Sequence, residues 1–126
     1  EYTLLAGSLA IEEQLCGLTF KISPASFFQV NPKQAENMYE QAIAFAELTG
    51  TETVLDAYCG VGTLALIFAK KAKKVIGIDC VKAAIDDAKE NEKLNGIDNV
   101  EFVCGDVKRT IKGLANIDVV VLNPPR

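Results

Sequence analysis

The chain reads as an α/β protein: a parallel sheet of about four strands wrapped by helices, with a β-hairpin carried in front of it as an appendage. Three observations predict this. Apolar strand-like runs alternate with helical stripes from Asn31 onward. A strand, a glycine turn and a helix follow one another in Thr-Val-Leu-Asp-Ala-Tyr-Cys-Gly-Val-Gly-Thr, residues 53–63. Period-two alternation, by contrast, is concentrated in residues 1–22. Strands separated by helices feed a parallel sheet through right-handed crossovers, so the chain divides into a hairpin segment, residues 1–22, and a main α/β unit, residues 23–126.

The elements follow in order. Ile11, Glu13 and Leu15, then Leu18, Phe20 and Ile22, alternate around Cys16-Gly17, the pattern of two strands joined by a short turn. Residues 23–32 break all periodicity, and Pro24 and Pro32 hold the residues before them extended. Asn31 caps a helix with Pro32 at its first position. That helix carries Ala35, Met38, Tyr39, Ala42, Ile43 and Ala46 as its apolar stripe and stops at Gly50. Residues 64–71 form a second helix with Leu66, Ile67 and Ala69 facing inward and Lys70-Lys71 complementing its dipole. A strand over residues 75–79 ends in Asp79, and a helix over residues 81–94 sets Ala84, Ile85, Ala88 and Leu94 on one face before Asn95-Gly96 stops it. Residues 100–104 are a strand, 108–114 a short helical or irregular link, and 117–122 a strand whose unbroken apolar composition predicts burial on both faces.

The glycine turn at residues 53–63 brings backbone close to a nucleotide-like ligand and aims helix N–H groups at it. Asp79, at the end of the next strand, is placed to accept hydrogen bonds from a ribose diol. Only half of the dinucleotide fingerprint is present, because Leu66 stands where its third glycine would be. Asp56, just ahead of Gly60 and Gly62, would repel a pyrophosphate but suits an ammonium, as in S-adenosylmethionine. Spacing alone leaves that cofactor, another nucleotide and an ordinary βα turn all open. The four strand ends carry Asp56, Asp79, Asp106 and Asn123, and ligands of such sheets bind where strand ends converge. Each of the four could instead serve only as a helix cap.

Composition narrows the function classes. With 126 residues, 49% of them hydrophobic, the chain makes one domain with a modest core. A net charge of −4 excludes a general basic field for nucleic acid. The absence of a long apolar run or a charged-then-apolar leader points to a cytoplasmic protein that does not enter a membrane. Cys16, Cys59, Cys80 and Cys104 are widely spaced and there is no histidine, which argues against a metal site and for small buried thiols in a reducing compartment.

On these motifs the sequence resembles the class I S-adenosylmethionine-dependent methyltransferases, and among them the RNA 5-methyluridine (uracil-C5) methyltransferases. Phe28-Gln29-Val30-Asn31 is similar to that family's entry into its catalytic domain, Asp56-Ala57-Tyr58-Cys59-Gly60-Val61-Gly62-Thr63 to its cofactor loop, and Asn123-Pro124-Pro125-Arg126 to its Asp/Asn-Pro-Pro-Arg motif. The resemblance implies a Rossmann-like class I methyltransferase fold with a truncated sheet. It also implies cofactor contacts from Gln29, Tyr58, Asp79 and Asn123, with Thr63 and Asp106 as further candidates beside Asp56, Gly60 and Gly62. Tyr58 would lie against the methionine or ribose portion, Asp79 would take the ribose hydroxyls, Asp106 the adenine amine and Gln29 the methionine end. Asn123 replaces the Asp of many relatives, which removes a charge near the sulfonium.

In that family a cysteine thiolate adds to uracil C6, C5 then takes the methyl group, and a base removes the C5 proton. Its nucleophile and base both lie beyond the Pro-Pro-Arg motif, so residues 1–126 are expected to bind cofactor without methylating, and RNA, ribosomal or transfer, is the expected substrate of the longer parent. With the strand order usual for that class, the last strand becomes an apolar sheet edge and a site of self-association. Two rivals stand beside this reading. One is an amino-group methyltransferase, whose Asn-Pro-Pro signature ends in an aromatic residue where this chain has Arg126. The other is a non-catalytic nucleotide-binding module.

Overall fold

The computed structural model describes residues 5–8, 10–24 and 31–124. Phe27, Phe28, Gln29, Pro125 and Arg126 lie outside the described residues. The hairpin is formed by β1 (Ile11–Leu15) and β2 (Leu18–Ile22), paired antiparallel with Leu15 opposite Leu18. Cys16 and Gly17 both take positive φ, 50° and 77°, so the turn twists with the strands. The hairpin is a separate sheet, but it is more than an appendage. Leu15 and Phe20 are fully buried and Leu18 nearly so, in one core with Leu66 and Phe68. The Lys70 ammonium, expected to serve its own helix dipole, donates instead to the Cys16 carbonyl at 2.7 Å and pins the turn.

Helix α1 (Pro32–Ala46) begins as its sequence directs, with the Asn31 side chain accepting from the Gln34 N–H at 3.2 Å. It ends earlier than Gly50, because Glu47 turns left-handed at φ 47°. Beyond it the N–H groups of Thr49, Gly50 and Thr51 converge on the Glu52 carboxylate, which also accepts from the Thr49 hydroxyl at 2.6 Å. Ala35 and Tyr39 of the apolar stripe are buried, whereas Met38 is 45% exposed and lies off it.

The main sheet contains β3 (Thr53–Ala57), β4 (Lys74–Asp79), β5 (Val100–Cys104) and β6 (Val119–Leu122), in the order β5-β4-β3-β6 and all parallel. Between them run α2 (Thr63–Ala69), α3 (Lys82–Leu94) and α4 (Val107–Ile111). Val54, Val75 and Phe102 on one sheet face share the larger core with α1, α2, α3 and the hairpin. Leu55, Ala57, Ile76 and Ile78 on the other face pack with Val107 of α4. All seven residues of α2 are buried, not three, because the sheet covers one side of this short helix and α1 with the hairpin covers the other.

Two expectations about burial are corrected. The last strand starts at Val119 and is not buried on both faces: Val119 and Val121 pack on the larger core, while Val120 is 52% and Leu122 63% exposed. An edge strand has a neighbouring strand on one side only, so its residues find less cover than those of a central strand, whatever their composition. Leu94, at the last turn of α3, is 53% exposed and stands outside the apolar face of that helix.

Candidate functional site

Because all four main strands run the same way, the residues that leave them lie along one edge. Tyr58 follows β3, Asp79 closes β4, Gly105 and Asp106 follow β5, and Asn123 follows β6. Register keeps them level, since Ala57 pairs with both Ile78 and Leu122, and Asp79 with Cys104.

The turn after β3 is built from unusual backbone. Tyr58 adopts a left-handed φ of 66°, a conformation costly for a bulky side chain and concentrated at functional turns. The Cys59 N–H donates to the Ile78 carbonyl at 2.9 Å and the Gly62 N–H to the Cys59 carbonyl at 3.0 Å. Gly62, at φ 85°, begins α2, and a Cβ there would stand 2.8 Å from Phe102 Cζ and 3.1 Å from Ala88 Cβ. A Cβ on Gly77 would stand 2.7 Å from Phe102 Cδ1. The Phe102 ring thus crosses β4 at Gly77 and reaches the turn at Gly62, which only two absent side chains permit.

Asp79 is half-buried and holds this turn. Its Oδ2 accepts from the Gly60 N–H at 2.9 Å, and its Oδ1 accepts from the Val81 N–H, also at 2.9 Å, at the entry to α3. Each carboxylate oxygen has two acceptor directions, so both retain capacity for a further donor.

Asp56 is placed differently from a strand-tip ligand. β3 continues through Ala57, and Asp56 lies inside it, opposite Gly77 and Val121, at 2% exposure. Its Oδ2 has no hydrogen-bond partner among the described residues. Burial raises its carboxyl to about 7, against the pull of a hydrogen bond from the Ala65 backbone N–H and with added repulsion from Asp79. The same environment acts on its neighbours: burial first, then the charge of Asp56, pushes the Tyr39 hydroxyl up to about 12, and burial with Asp56 and Asp79 pushes the Cys59 thiol up. Thr63 is buried at the start of α2.

Asp106 is exposed and caps α4, its Oδ1 accepting from the Arg109 N–H at 2.9 Å. Asn123 is exposed beyond β6, on the same edge, and Gln29 is outside the described residues. Of the cysteines only Cys59 is buried; Cys80 and Cys104 are exposed, which corrects the expectation of buried thiols, and Cys104 donates weakly to the Cys80 carbonyl at 3.8 Å. These two follow or end their strands at the exposed rim of the sheet. Among the described residues no group of three or more His, Cys, Asp or Glu is arranged to hold a metal ion, and no helix is long and apolar enough to cross a membrane.

Sequence reasoning missed Asn91, which is fully buried on α3 and donates to the Val61 carbonyl of the glycine turn at 3.2 Å. The available signal was the spacing Asp87, Asn91, Asn95, three polar residues on one helical stripe.

Comparison with known proteins shows the family. Residues 48–125 match the family described as a methyltransferase domain. An uncharacterized RNA methyltransferase of Lactiplantibacillus plantarum is 50% identical over 127 residues, which cover 98% of this chain and 28% of the relative. One from Halalkalibacterium halodurans is 46% identical over 128 residues, with the same shares of 98% and 28%. This chain therefore spans a little over a quarter of the relatives it matches. Among solved structures, the Pyrococcus abyssi tRNA (uracil-54, C5)-methyltransferase in complex with S-adenosyl-L-homocysteine is 34% identical with a TM-score of 0.77, over 95% of this chain and 29% of that one.

Proposed function

This chain belongs to the methyltransferase-domain family, and on that premise we propose that it is the S-adenosylmethionine-binding part of an RNA (uracil-C5)-methyltransferase, one that makes 5-methyluridine in ribosomal or transfer RNA in the cytoplasm. The observation that carries the reading is Asp79, a strand-end carboxylate that fastens the glycine turn through Gly60 yet keeps acceptor capacity for a vicinal diol.

The donor set fits the cofactor. Asp79 takes the ribose hydroxyls, and Tyr58, held left-handed at the rim, lies along the ribose or methionine portion. Gly60 and Gly62 let backbone approach, with Thr63 closing the turn behind them. Asp106 accepts from the adenine amine beside its capping bond, while Gln29 and Asn123 serve the methionine end. Asp56 acts from beneath, its buried Oδ2, without a hydrogen-bond partner among the described residues, supplying negative potential under a cationic ligand. When bound, S-adenosylmethionine supplies an electrophilic methyl group on a positively charged sulfur.

Methylation at uracil C5 needs a thiolate to attack C6. None of the four cysteines is equipped for it: Cys59 is buried with its thiol raised, and no histidine exists to activate Cys16, Cys80 or Cys104. Residues 1–126 therefore bind the cofactor without turning it over.

Calorimetric titration tests the binding half. S-adenosylmethionine should bind and NAD should not; the reverse result makes the chain a dinucleotide module. Product analysis on the longer parent tests the rest. A C5-methyl base supports the reading, and an N-methyl base supports the amino-group alternative that Asn123-Pro124 suggests. Methyl transfer to uridine by residues 1–126 alone would overturn the division of labour.

A further inference from the structure

Helix α3 presents three polar side chains, Asp87, Asn91 and Asn95, at intervals that advance about 6 Å along a helix. β2 and the residue that follows it present the backbone groups of Thr19, Lys21 and Ser23, at intervals of about 6.7 Å for extended chain. The two spacings match closely enough for the helix to bind the strand rung by rung. The Thr19 N–H donates to Asn95 Oδ1 at 2.9 Å, and Asn95 Nδ2 returns a bond to the Thr19 carbonyl at 2.7 Å. The Lys21 N–H donates to Asn91 Oδ1 at 2.6 Å, and Asn91 Nδ2 returns a bond to the Lys21 carbonyl at 3.1 Å. Asp87 Oδ2 accepts from both the N–H and the hydroxyl of Ser23, at 3.0 and 2.7 Å. On this edge of the hairpin, helix side chains do what a third strand would do.

The middle rung differs from the others. A side-chain amide has two N–H protons, and Asn91 uses the second on the Val61 carbonyl, inside the glycine turn. Asn95 spends its second proton on its own helix, at the Asn91 carbonyl. Asn91 is 0% exposed, so no water can replace a lost bond without rearrangement.

We propose that Asn91 is a positioning residue for the cofactor turn: its bond to the Val61 carbonyl holds the turn in its ligand-ready shape, and its bonds to Lys21 fix the amide in the orientation that bond needs. The affinity consequence rests on the function proposed above; the structural coupling does not. Two readouts separate them, with Asn91→Leu compared against Asn95→Leu, which removes a rung but no bond to the turn.

The first readout is amide hydrogen exchange in the ligand-free chain. Asn91→Leu should lower protection of the Gly62 N–H, and of the Gly60 N–H held by Asp79, by roughly ten-fold. Asn95→Leu should lower protection at Thr19 and leave Gly60 and Gly62 unchanged. The second readout is titration with S-adenosylhomocysteine, where Asn91→Leu should weaken binding by roughly ten-fold and Asn95→Leu by less than two-fold. If Asn91→Leu does not fold, Asn91→Ser is expected to give the same contrast. Unchanged exchange at Gly60 and Gly62, or equal effects from the two positions, overturns the coupling. Loss of exchange protection as expected, in a chain whose wild type binds neither S-adenosylmethionine nor S-adenosylhomocysteine, leaves the coupling standing and overturns the cofactor.

Discussion

Asp56 and Asp79 share one turn but live under opposite physical conditions. Asp79 has backbone donors on both oxygens, whereas Asp56 is buried with one oxygen that has no partner among the described residues. The Asp56 carboxyl is raised from 3.8 to about 7 in the folded chain, so the folded state keeps a proton that the unfolded state has released. Stability from this group is then full below about pH 3.8, falls as pH rises toward 7 and is flat above it, a loss of a few kcal/mol at most. Glu52 works in another window: its carboxyl is lowered from 4.5 to about 2 by the Thr49 hydroxyl and surrounding N–H groups, so its contribution is present above 4.5 and lost as pH falls toward 2. Urea unfolding at pH 5 and pH 8 should show the wild type weaker at pH 8 and Asp56→Asn lacking that difference. A cationic ligand above Asp56 should also expel its proton, so near pH 6.5 the apparent binding enthalpy should vary with buffer ionisation enthalpy, and Asp56→Asn should abolish the variation. Asp79→Asn should weaken S-adenosylmethionine by roughly ten- to a hundred-fold, since one of its two acceptor oxygens becomes an NH2 donor and the negative charge is lost. Asp79 was legible in the sequence because a carboxylate after Val75-Ile76-Gly77-Ile78 has one place to go. Asp56 was legible as a group of consequence but not as a buried one, because Ala57 extends the strand without adding an apolar signal strong enough to show it.

Elements pack here through missing side chains. Gly77 and Gly62 both yield to the Phe102 ring, but for separable reasons. Gly77 has no positive φ, so Gly77→Ala fails only by collision with Phe102 and with Cys59 Sγ at 3.1 Å, and should cost roughly 1–3 kcal/mol. Gly62→Ala meets the same ring and must also hold φ 85°, which adds a backbone penalty of roughly 1 kcal/mol. Shortening Phe102 to Leu should therefore recover much of the Gly77→Ala loss and less of the Gly62→Ala loss, in a double-mutant cycle read by denaturant midpoint. The loss left at Gly62 once Phe102 is shortened should exceed that left at Gly77, since it keeps the left-handed backbone and the Ala88 contact at 3.1 Å; equal residual losses would mean that neither costs anything. The strand, glycine turn and helix were readable because glycine, carboxylate and apolar runs each mark one conformation. The rungs of α3 were not, since Asp87, Asn91 and Asn95 at helical spacing look like any solvated stripe until a strand edge is known to lie against them. The same limit explains Met38 and Leu94, apolar residues on helical stripes whose burial depends on where the next element stops.

At the scale of the molecule, the last strand lies outermost, as the strand order usual for the resembled class implied, while its burial was overestimated because composition reports a residue's preference and not its neighbours. β6 pairs with β3 on one side only, and on its outer side it presents backbone groups without a strand partner among the described residues. Val120 and Leu122 add exposed apolar surface on the face away from the larger core. A short apolar edge of this kind recruits another edge, and in a preparation of residues 1–126 the β6 of a second copy offers one of the same apolar character. Sedimentation velocity over a hundred-fold concentration range should show a monomer giving way to a dimer. Val120→Lys, which sets a charge on the exposed face and disturbs neither Val119 nor Val121, should shift the midpoint of that transition at least ten-fold higher without lowering thermal stability. Glu12→Lys, on β1 of the hairpin, should leave it unmoved. A wild-type chain that stays monomeric at the highest concentration would mean that four residues of apolar edge are too few to overcome the entropy of association.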